Sequence, residues 1–214
     1  MTQPHALSEA QASEPATLNN PNLDLIAPVE DIFDRSAIRK DLWAAIEDAE
    51  DERAVRKATV AVLGAARDKG RDVIAEAFKN KPLEAHRVTH AYTWITDCLV
   101  TLTYEVATER LHRNPNPTEG ERLAVMAVGG YGRGEMAPFS DVDLLFLTPY
   151  KVTAWAESVI ESMLYIFWDL KLKIGHASRT VKDCIRLGAE DFTIRTAMLE
   201  NRYLIGHRAL ARDL

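Results

Sequence analysis

The chain has little cysteine and no long apolar run, and these absences exclude several classes of protein. Cys98 and Cys184 are the two cysteines among 214 residues, which favours two buried free thiols over a disulfide scaffold. No run approaches the roughly 18 consecutive apolar residues that a membrane-spanning helix needs. The N-terminus also lacks the basic and apolar regions of a signal peptide. We therefore predict a cytoplasmic protein with no membrane partner.

Clusters of basic residues are lacking as well. With 26 Lys and Arg residues against 32 Asp and Glu residues, the chain has a formal net charge of −6. Affinity for nucleic acid comes largely from neutralising phosphates with basic side chains, so we predict no nucleic-acid partner. A P-loop ends in Gly-Lys-Ser/Thr, and no lysine lies between Lys81 and Lys151. That gap excludes a P-loop in the glycine-rich stretch that lies there.

Composition and hydrophobic periodicity predict an α+β domain after a polar tail. Residues 1–28 contain four prolines and little apolar periodicity, so we predict a disordered tail. An N-terminal helical segment should follow over 29–82 and the main core over 83–214. Ser36 is predicted to cap the first helix. Further helices are predicted over 54–79, 83–113, 155–170 and most of 182–202, and strands over 123–128, 142–147 and 172–178.

Two carboxylates occur one residue apart at the start of the second predicted strand. Side chains alternate between the faces of a strand, so Asp141 and Asp143 should point the same way, with roughly 6.5 Å between their Cα atoms. No basic residue lies within the run 142–147, and two unneutralised carboxylates on one face repel each other. A divalent cation removes that repulsion. The pair therefore predicts a site for Mg²⁺, with Mn²⁺ as an alternative, that also takes ligands from substrate phosphates.

The stretch before this strand is rich in glycine and predicts a phosphate-binding turn. Glycine allows positive φ and lets backbone N–H groups come close to a ligand. Arg133 lies in the middle of the turn, where its planar guanidinium can bind triphosphate oxygens in a bidentate way. Ser140 either caps the turn or contacts phosphate. The predicted nucleotide-binding residues are Gly129, Gly130, Gly132, Arg133, Gly134 and Ser140.

Taken together, these residues resemble a known superfamily. A Gly-Gly pair, ten residues and then Asp-Val-Asp resemble the signature of the polymerase-β-like nucleotidyltransferases. The stretch 129–145 is similar to the bacterial PII uridylyltransferase branch, as are the downstream segments 167–180 and 191–202. The resemblance covers about residues 84–210. It implies a nucleotidyltransferase core with a small mixed β-sheet flanked by long α-helices.

The resemblance also implies a specific activity. Members of this branch use UTP to transfer UMP to a tyrosine of the nitrogen-regulatory protein PII when glutamine is scarce, and they remove it when glutamine is plentiful. A metal-dependent HD phosphohydrolase domain performs the removal, and C-terminal ACT domains sense glutamine. None of the six histidines here is followed by aspartate. We therefore expect an N-terminal fragment of such an enzyme, without HD and ACT domains and without the removing activity.

Residue roles follow from the same resemblance. Asp141 and Asp143 are the predicted catalytic residues and metal ligands, with two metal ions roughly 3.5 to 4 Å apart. Sites of this superfamily usually have a third carboxylate on a neighbouring strand, and the predicted strand 172–178 carries none. The candidates for the third ligand are, in order, Asp169, Asp183 and Asp191.

Two alternatives to uridylylation stay open at the level of sequence. A related nucleotidyltransferase, such as an adenylyltransferase acting on glutamine synthetase or an uncharacterised bacterial member, keeps the site and changes the base and the acceptor. Nothing in the glycine turn reads uracil, so the resemblance alone favours UTP. A noncatalytic regulatory module would keep the fold and lack turnover.

Overall fold

The packed chain begins with a pair of apolar residues ahead of the first helix. The computed structural model describes residues 24–214, so most of the predicted tail, residues 1–23, lies outside the described residues. Leu25 and Ile26 are buried, and Asp24 forms an ion pair with Arg87. None of the helices within the described range is both long and apolar enough to cross a membrane.

Residues 24–214 form nine α-helices and four strands. The helices predicted over 54–79, 83–113 and 155–170 are present with shifted ends, and a π-helical turn over Val106–Leu111 ends the second of them. The helices are α1 (Val29–Phe33), α2 (Arg35–Ile46), α3 (Glu52–Asn80), α4 (Ala85–Glu105), α5 (Gly129–Gly132), α6 (Ala154–Asp169), α7 (Val181–Glu190), α8 (Phe192–Leu199) and α9 (Arg208–Arg212). The strands are β1 (Ala124–Ala127), β2 (Val142–Thr148), β3 (Ile174–Thr180) and β4 (Arg202–Gly206).

The N-terminus of α2 is capped by a residue other than the predicted one. Asp34 has an extended backbone, and its carboxylate accepts a hydrogen bond from Ala37 N at 3.0 Å. Asp34 therefore satisfies one of the free N–H groups of the first turn. The prediction that Ser36 caps this helix is wrong, because Ser36 already lies within that turn.

The strands form one mixed sheet in the order β3-β2-β1-β4. β1 pairs antiparallel with β2 and β4, and β2 pairs in parallel with β3. This arrangement confirms the small mixed sheet and the α+β fold. The sequence did not predict β4, because helix was predicted over most of 182–202 and no strand after it. Its residues follow α8 without an intervening Gly or Pro, and their pairing with β1 is a tertiary contact that no local pattern signals.

Both faces of the sheet are covered, and this explains the apolar composition of β2. Val142, Leu144 and Phe146 pack on one face in a cluster that includes residues of α4 and α6. Leu145 and Leu147 pack on the other face with residues of α7 and α9. Because side chains alternate along a strand, Asp143 belongs to this second face. The strand thus presents a carboxylate at its start, where it emerges from the glycine turn.

Candidate active site

The two predicted carboxylates lie together at the start of β2. Asp141 precedes the strand and is exposed, whereas Asp143 is half-buried as its second residue. Burial raises the pKa of Asp143, and the nearby Asp141 raises it further. Within residues 24–214, no basic side chain pairs with either carboxylate. Two hard oxygen ligands without a neutralising partner fit a divalent cation such as Mg²⁺.

The neighbouring strand leaves space for the Asp143 carboxylate. Gly175 on β3 lies directly across from Asp143 in the parallel register. A Cβ atom at residue 175 would lie 2.3 Å from Asp143 Oδ1, which is closer than two such atoms can approach. The carboxylate therefore holds its observed position only because residue 175 has no side chain.

Gly175→Ala is expected to weaken divalent-cation binding by roughly 10- to 100-fold, which is the usual effect of disturbing the support of a metal ligand. The added methyl group must rotate the Asp143 carboxylate away from β3. Titration with Mg²⁺ or Mn²⁺, followed by calorimetry, measures the change. Gly120→Ala is the control, because a Cβ atom there meets nothing closer than 3.8 Å. Unchanged cation affinity in Gly175→Ala would contradict the prediction that Asp143 is a metal ligand.

The glycine turn lies directly against this carboxylate. Its first part forms the single-turn helix α5, and a Cβ atom at Gly129 would lie 3.7 Å from Asp143 Oδ2. Val128 N also donates a hydrogen bond to the Asp143 carbonyl at 3.1 Å. Gly129 and Gly134 have φ of 60° and 78°, so both occupy the left-handed region that favours glycine. The structure thus brings the predicted phosphate-binding backbone and the predicted metal ligand together.

The other two glycines of the turn differ from these and from each other. A Cβ atom at Gly132 would lie 1.6 Å from the carbonyl oxygen of Glu200, so glycine is required there by close backbone approach. A Cβ atom at Gly130 would have Arg133 Nη2 as its nearest neighbour, at 3.6 Å, which is an ordinary contact. Three of the four glycines are therefore required by the local structure, two by positive φ and one by close packing, whereas Gly130 has neither requirement.

Arg133 and Ser140 both have protein partners. Arg133 is 47% exposed and forms ion pairs with Glu200 at 2.5 Å and Glu135 at 3.3 Å. Ser140 Oγ accepts a hydrogen bond from Ala137 N at 3.1 Å, and Ser140 N donates one to the Ala137 carbonyl at 3.1 Å. Ser140 therefore closes the loop that leads into β2, which is the capping role named as one of its two alternatives. Arg133 can reach a phosphate only by exchanging its carboxylate partners.

The described residues bring no third carboxylate to the pair. Asp169 ends α6 and forms an ion pair with Arg56 at 3.2 Å. Asp183 accepts a hydrogen bond from the Thr180 hydroxyl at the start of α7, and Asp191 caps α8. Within 24–214 no group of three His, Cys, Asp or Glu side chains is placed to hold a metal ion. Each of the three candidate carboxylates thus bonds to another group of the protein and is not grouped with Asp141 and Asp143.

A buried ion pair behind the glycine turn is absent from the sequence predictions. The Asp97 side chain on α4 is 1% exposed and accepts hydrogen bonds from Arg202 at 2.7 and 3.0 Å. It also accepts one from the Tyr131 hydroxyl at 2.8 Å. The available signal was a carboxylate within the apolar stripe of α4, because aspartate is almost never fully buried without a partner.

Comparisons with known proteins identify the family and several relatives of this chain. The sequence model of the family described as glutamate-ammonia ligase adenylyltransferase (GlnE) matches residues 1–174. A bifunctional uridylyltransferase/uridylyl-removing enzyme of Ruegeria pomeroyi is 67% identical over 155 residues, which are 72% of this chain and 17% of that protein. Proteins of the same name from Cereibacter sphaeroides and Caulobacter vibrioides are 53% and 52% identical over 208 and 157 residues, 96% and 72% of this chain. The chain spans 22% and 16% of those two proteins. These similarities confirm the resemblance that the glycine turn and the Asp-Val-Asp strand predicted.

Proposed function

We propose that this chain, which belongs to the glutamate-ammonia ligase adenylyltransferase (GlnE) family, is the nucleotidyltransferase part of a bifunctional uridylyltransferase/uridylyl-removing enzyme, as its relatives are named. The proposed reaction moves UMP from UTP to a tyrosine of the PII protein and releases diphosphate, as part of nitrogen regulation in the cytoplasm. The observation that supports it most is the unneutralised pair Asp141 and Asp143 against the glycine turn. Such a pair suits a metal-bound triphosphate.

The proposed chemistry combines a bound cation with the chain's own groups. When bound, Mg²⁺ or Mn²⁺ supplies charge neutralisation at the triphosphate and lowers the pKa of a nearby hydroxyl. Asp141 and Asp143 would hold the cation. The acceptor hydroxyl releases its proton to solvent, its oxygen forms a bond to the α-phosphorus, and the bond from that phosphorus to diphosphate breaks. Positioning by the protein supplies much of the rate in reactions of this kind.

The glycine turn and Arg133 would bind the triphosphate. The N–H groups of Gly129 and Gly130, at the start of α5, would bind phosphate oxygens. Gly132 N and Gly134 N instead donate hydrogen bonds within the turn, to the carbonyls of Val128 and Tyr131 at 3.1 Å. Arg133 would exchange Glu200 for a phosphate oxygen, since its guanidinium is half-exposed and lies in the same turn. The turn would therefore hold the phosphates while the carboxylates hold the cation.

UTP is proposed over ATP on the basis of the relatives. The glycine turn would contact phosphates, which both nucleotides share, so it does not select the base. Relatives at 52% to 67% identity are named uridylyltransferases, whereas the description of the family names an adenylyltransferase. Adenylylation of glutamine synthetase is therefore the outcome that an assay must exclude.

A transfer assay with the purified chain tests the proposal. The chain is incubated with Mg²⁺, one labelled nucleoside triphosphate at a time and a PII protein, and label on PII is measured. We expect transfer from UTP that is lost on removal of the divalent cation. Transfer from ATP but not from UTP would overturn the uridylyl assignment. Absence of both transfer and Mg²⁺-dependent nucleotide binding would favour a noncatalytic module.

A further inference from the structure

The glycine turn is held by three side chains that are remote from one another in sequence. Asp97 on α4, Tyr131 in the turn and Arg202 at the start of β4 form one largely buried group, which we call the turn clamp. Arg202 pairs with Ala127 of β1, which packs with Leu144 on the face of the sheet opposite Asp143. The turn clamp therefore supports the turn without contacting the two metal-site carboxylates.

Arg202 bonds the backbone of the turn as well as Asp97. Its Nε donates a hydrogen bond to the Gly132 carbonyl at 3.3 Å, and Nη2 donates one to the Tyr131 carbonyl at 3.2 Å. The guanidinium also lies over the Tyr131 ring, 5.4 Å from its centroid. A guanidinium has five N–H donors in a fixed plane, so it can bond a carboxylate and two carbonyls at once, which an ammonium group cannot do in this geometry.

Helix α4 holds the far end of the turn in a similar way. Thr93 lies one helical turn before Asp97 and so presents its side chain on the same face of α4. Its hydroxyl donates a hydrogen bond to the Gly134 carbonyl at 2.7 Å and accepts one from Met136 N at 3.3 Å. The backbone of the turn is therefore held at Tyr131 and Gly132 by Arg202 and at Gly134 by Thr93. Conformational freedom that a bare glycine-rich loop would have is removed.

We propose that Arg202, acting through Asp97 and Tyr131, is a positioning residue for nucleotide binding. It holds the turn backbone in the conformation that binds the triphosphate, so that little ordering entropy remains to be lost on binding. The inference rests on the proposed function, because it needs the turn to contact phosphate. It has a distinct consequence: loss of the guanidinium weakens binding of the phosphates equally for any base.

Arg202→Lys and Tyr131→Phe test this role in the full 214-residue chain. Arg202→Lys keeps a positive charge beside Asp97 but cannot bond both turn carbonyls. We expect the Kd for UTP with Mg²⁺ to rise roughly tenfold, the equivalent of about one net hydrogen bond, and the Kd for inorganic tripolyphosphate with Mg²⁺ to rise by the same factor. KM for UTP should rise more than kcat falls. Tyr131→Phe removes one hydroxyl and should give a smaller change in the same direction.

Arg35→Lys is the matched control, because Arg35 also forms a buried ion pair. Its side chain, on α2, is 12% exposed and pairs with Glu105 at the C-terminal end of α4. We expect it to lower the melting temperature about as much as Arg202→Lys and to leave both Kd values unchanged. Wild-type Kd values in a folded Arg202→Lys or, if that variant unfolds, in Tyr131→Phe would overturn the positioning role. A wild-type chain that binds neither UTP nor tripolyphosphate would instead overturn the proposed function, and this inference with it.

Discussion

Replacing Asp143 with asparagine is expected to abolish nucleotidyl transfer and to leave the fold at least as stable as before. The variant keeps the size of the side chain and removes one of the two charges proposed to hold the divalent cation. Charge stabilisation by a metal ion is worth several kcal/mol, so the rate of transfer should fall roughly 10³-fold or more. The measurement is the initial rate of label transfer from UTP at saturating Mg²⁺.

The expected stability of this variant follows from the pKa of Asp143. Burial and the neighbouring Asp141 raise that pKa in the folded chain, so the folded chain binds the proton more tightly than the unfolded chain does. The stabilisation that protonation gives is complete below the unfolded pKa and is lost as the pH rises through the folded pKa. At neutral pH the charged carboxylate therefore destabilises the fold. Thermal unfolding at neutral pH should give a Tm for Asp143→Asn equal to or above that of the wild type.

Asp169→Asn is the matched control for this prediction. Asp169 is also a carboxylate near β3, but it pairs with Arg56 on the surface. We expect transfer close to the wild-type rate. Wild-type transfer in Asp143→Asn would refute the metal role of Asp143. Loss of transfer in Asp169→Asn would show that Asp169 leaves Arg56 to serve as the third metal ligand.

Gly132→Ala is expected to destabilise the whole domain. A Cβ atom at this position would lie 1.6 Å from the Glu200 carbonyl oxygen and 3.1 Å from the Ala127 carbonyl oxygen. Both obstacles are backbone atoms, so relief requires β4, β1 or the turn to move. We expect the free energy of unfolding to fall by about 3 kcal/mol or more, the upper end of the usual cost of overpacking. Urea unfolding followed by circular dichroism measures the loss.

Gly130→Ala provides the control within the same turn. Its Cβ atom would have 3.6 Å to the nearest atom, which belongs to the mobile end of Arg133, and Gly130 does not have positive φ. Alanine should therefore be tolerated and change the free energy of unfolding by less than about 1 kcal/mol. Equal losses from the two substitutions would mean that the turn does not pack against Glu200 as the structure shows.

Features that depend on neighbouring residues could be predicted from the sequence. The run from Leu144 to Leu147 is apolar on both faces because both faces are covered, and that pattern identifies a buried strand. Glycines at positive φ, such as Gly129 and Gly134, have a local backbone reason for their identity. The placement of Asp143 beside the glycine turn follows from the short connection between the two strands.

Features that depend on distant residues could not be predicted in this way. β4 is a strand because β1 offers it an unpaired edge, and Arg202 reaches Asp97 across 105 positions of sequence. The same limit applies to Asp169. Its place just before β3 suggested a metal ligand, but in the structure it forms an exposed ion pair with Arg56 of α3. Neither partner can be recognised before the chain is folded.

The sequence by itself therefore determined the residues from which the site is predicted: two carboxylates one residue apart, and a glycine-rich turn beside them. These features depend only on residue types and on short spacings along the chain, and both can be read directly from the sequence. Tertiary structure alone decided what supports the site, namely the space that Gly175 leaves for Asp143 and the turn clamp behind Gly132. Support of this kind depends on which helices and strands contact each other in the folded chain. It arises only when helices and strands far apart in the chain pack against each other.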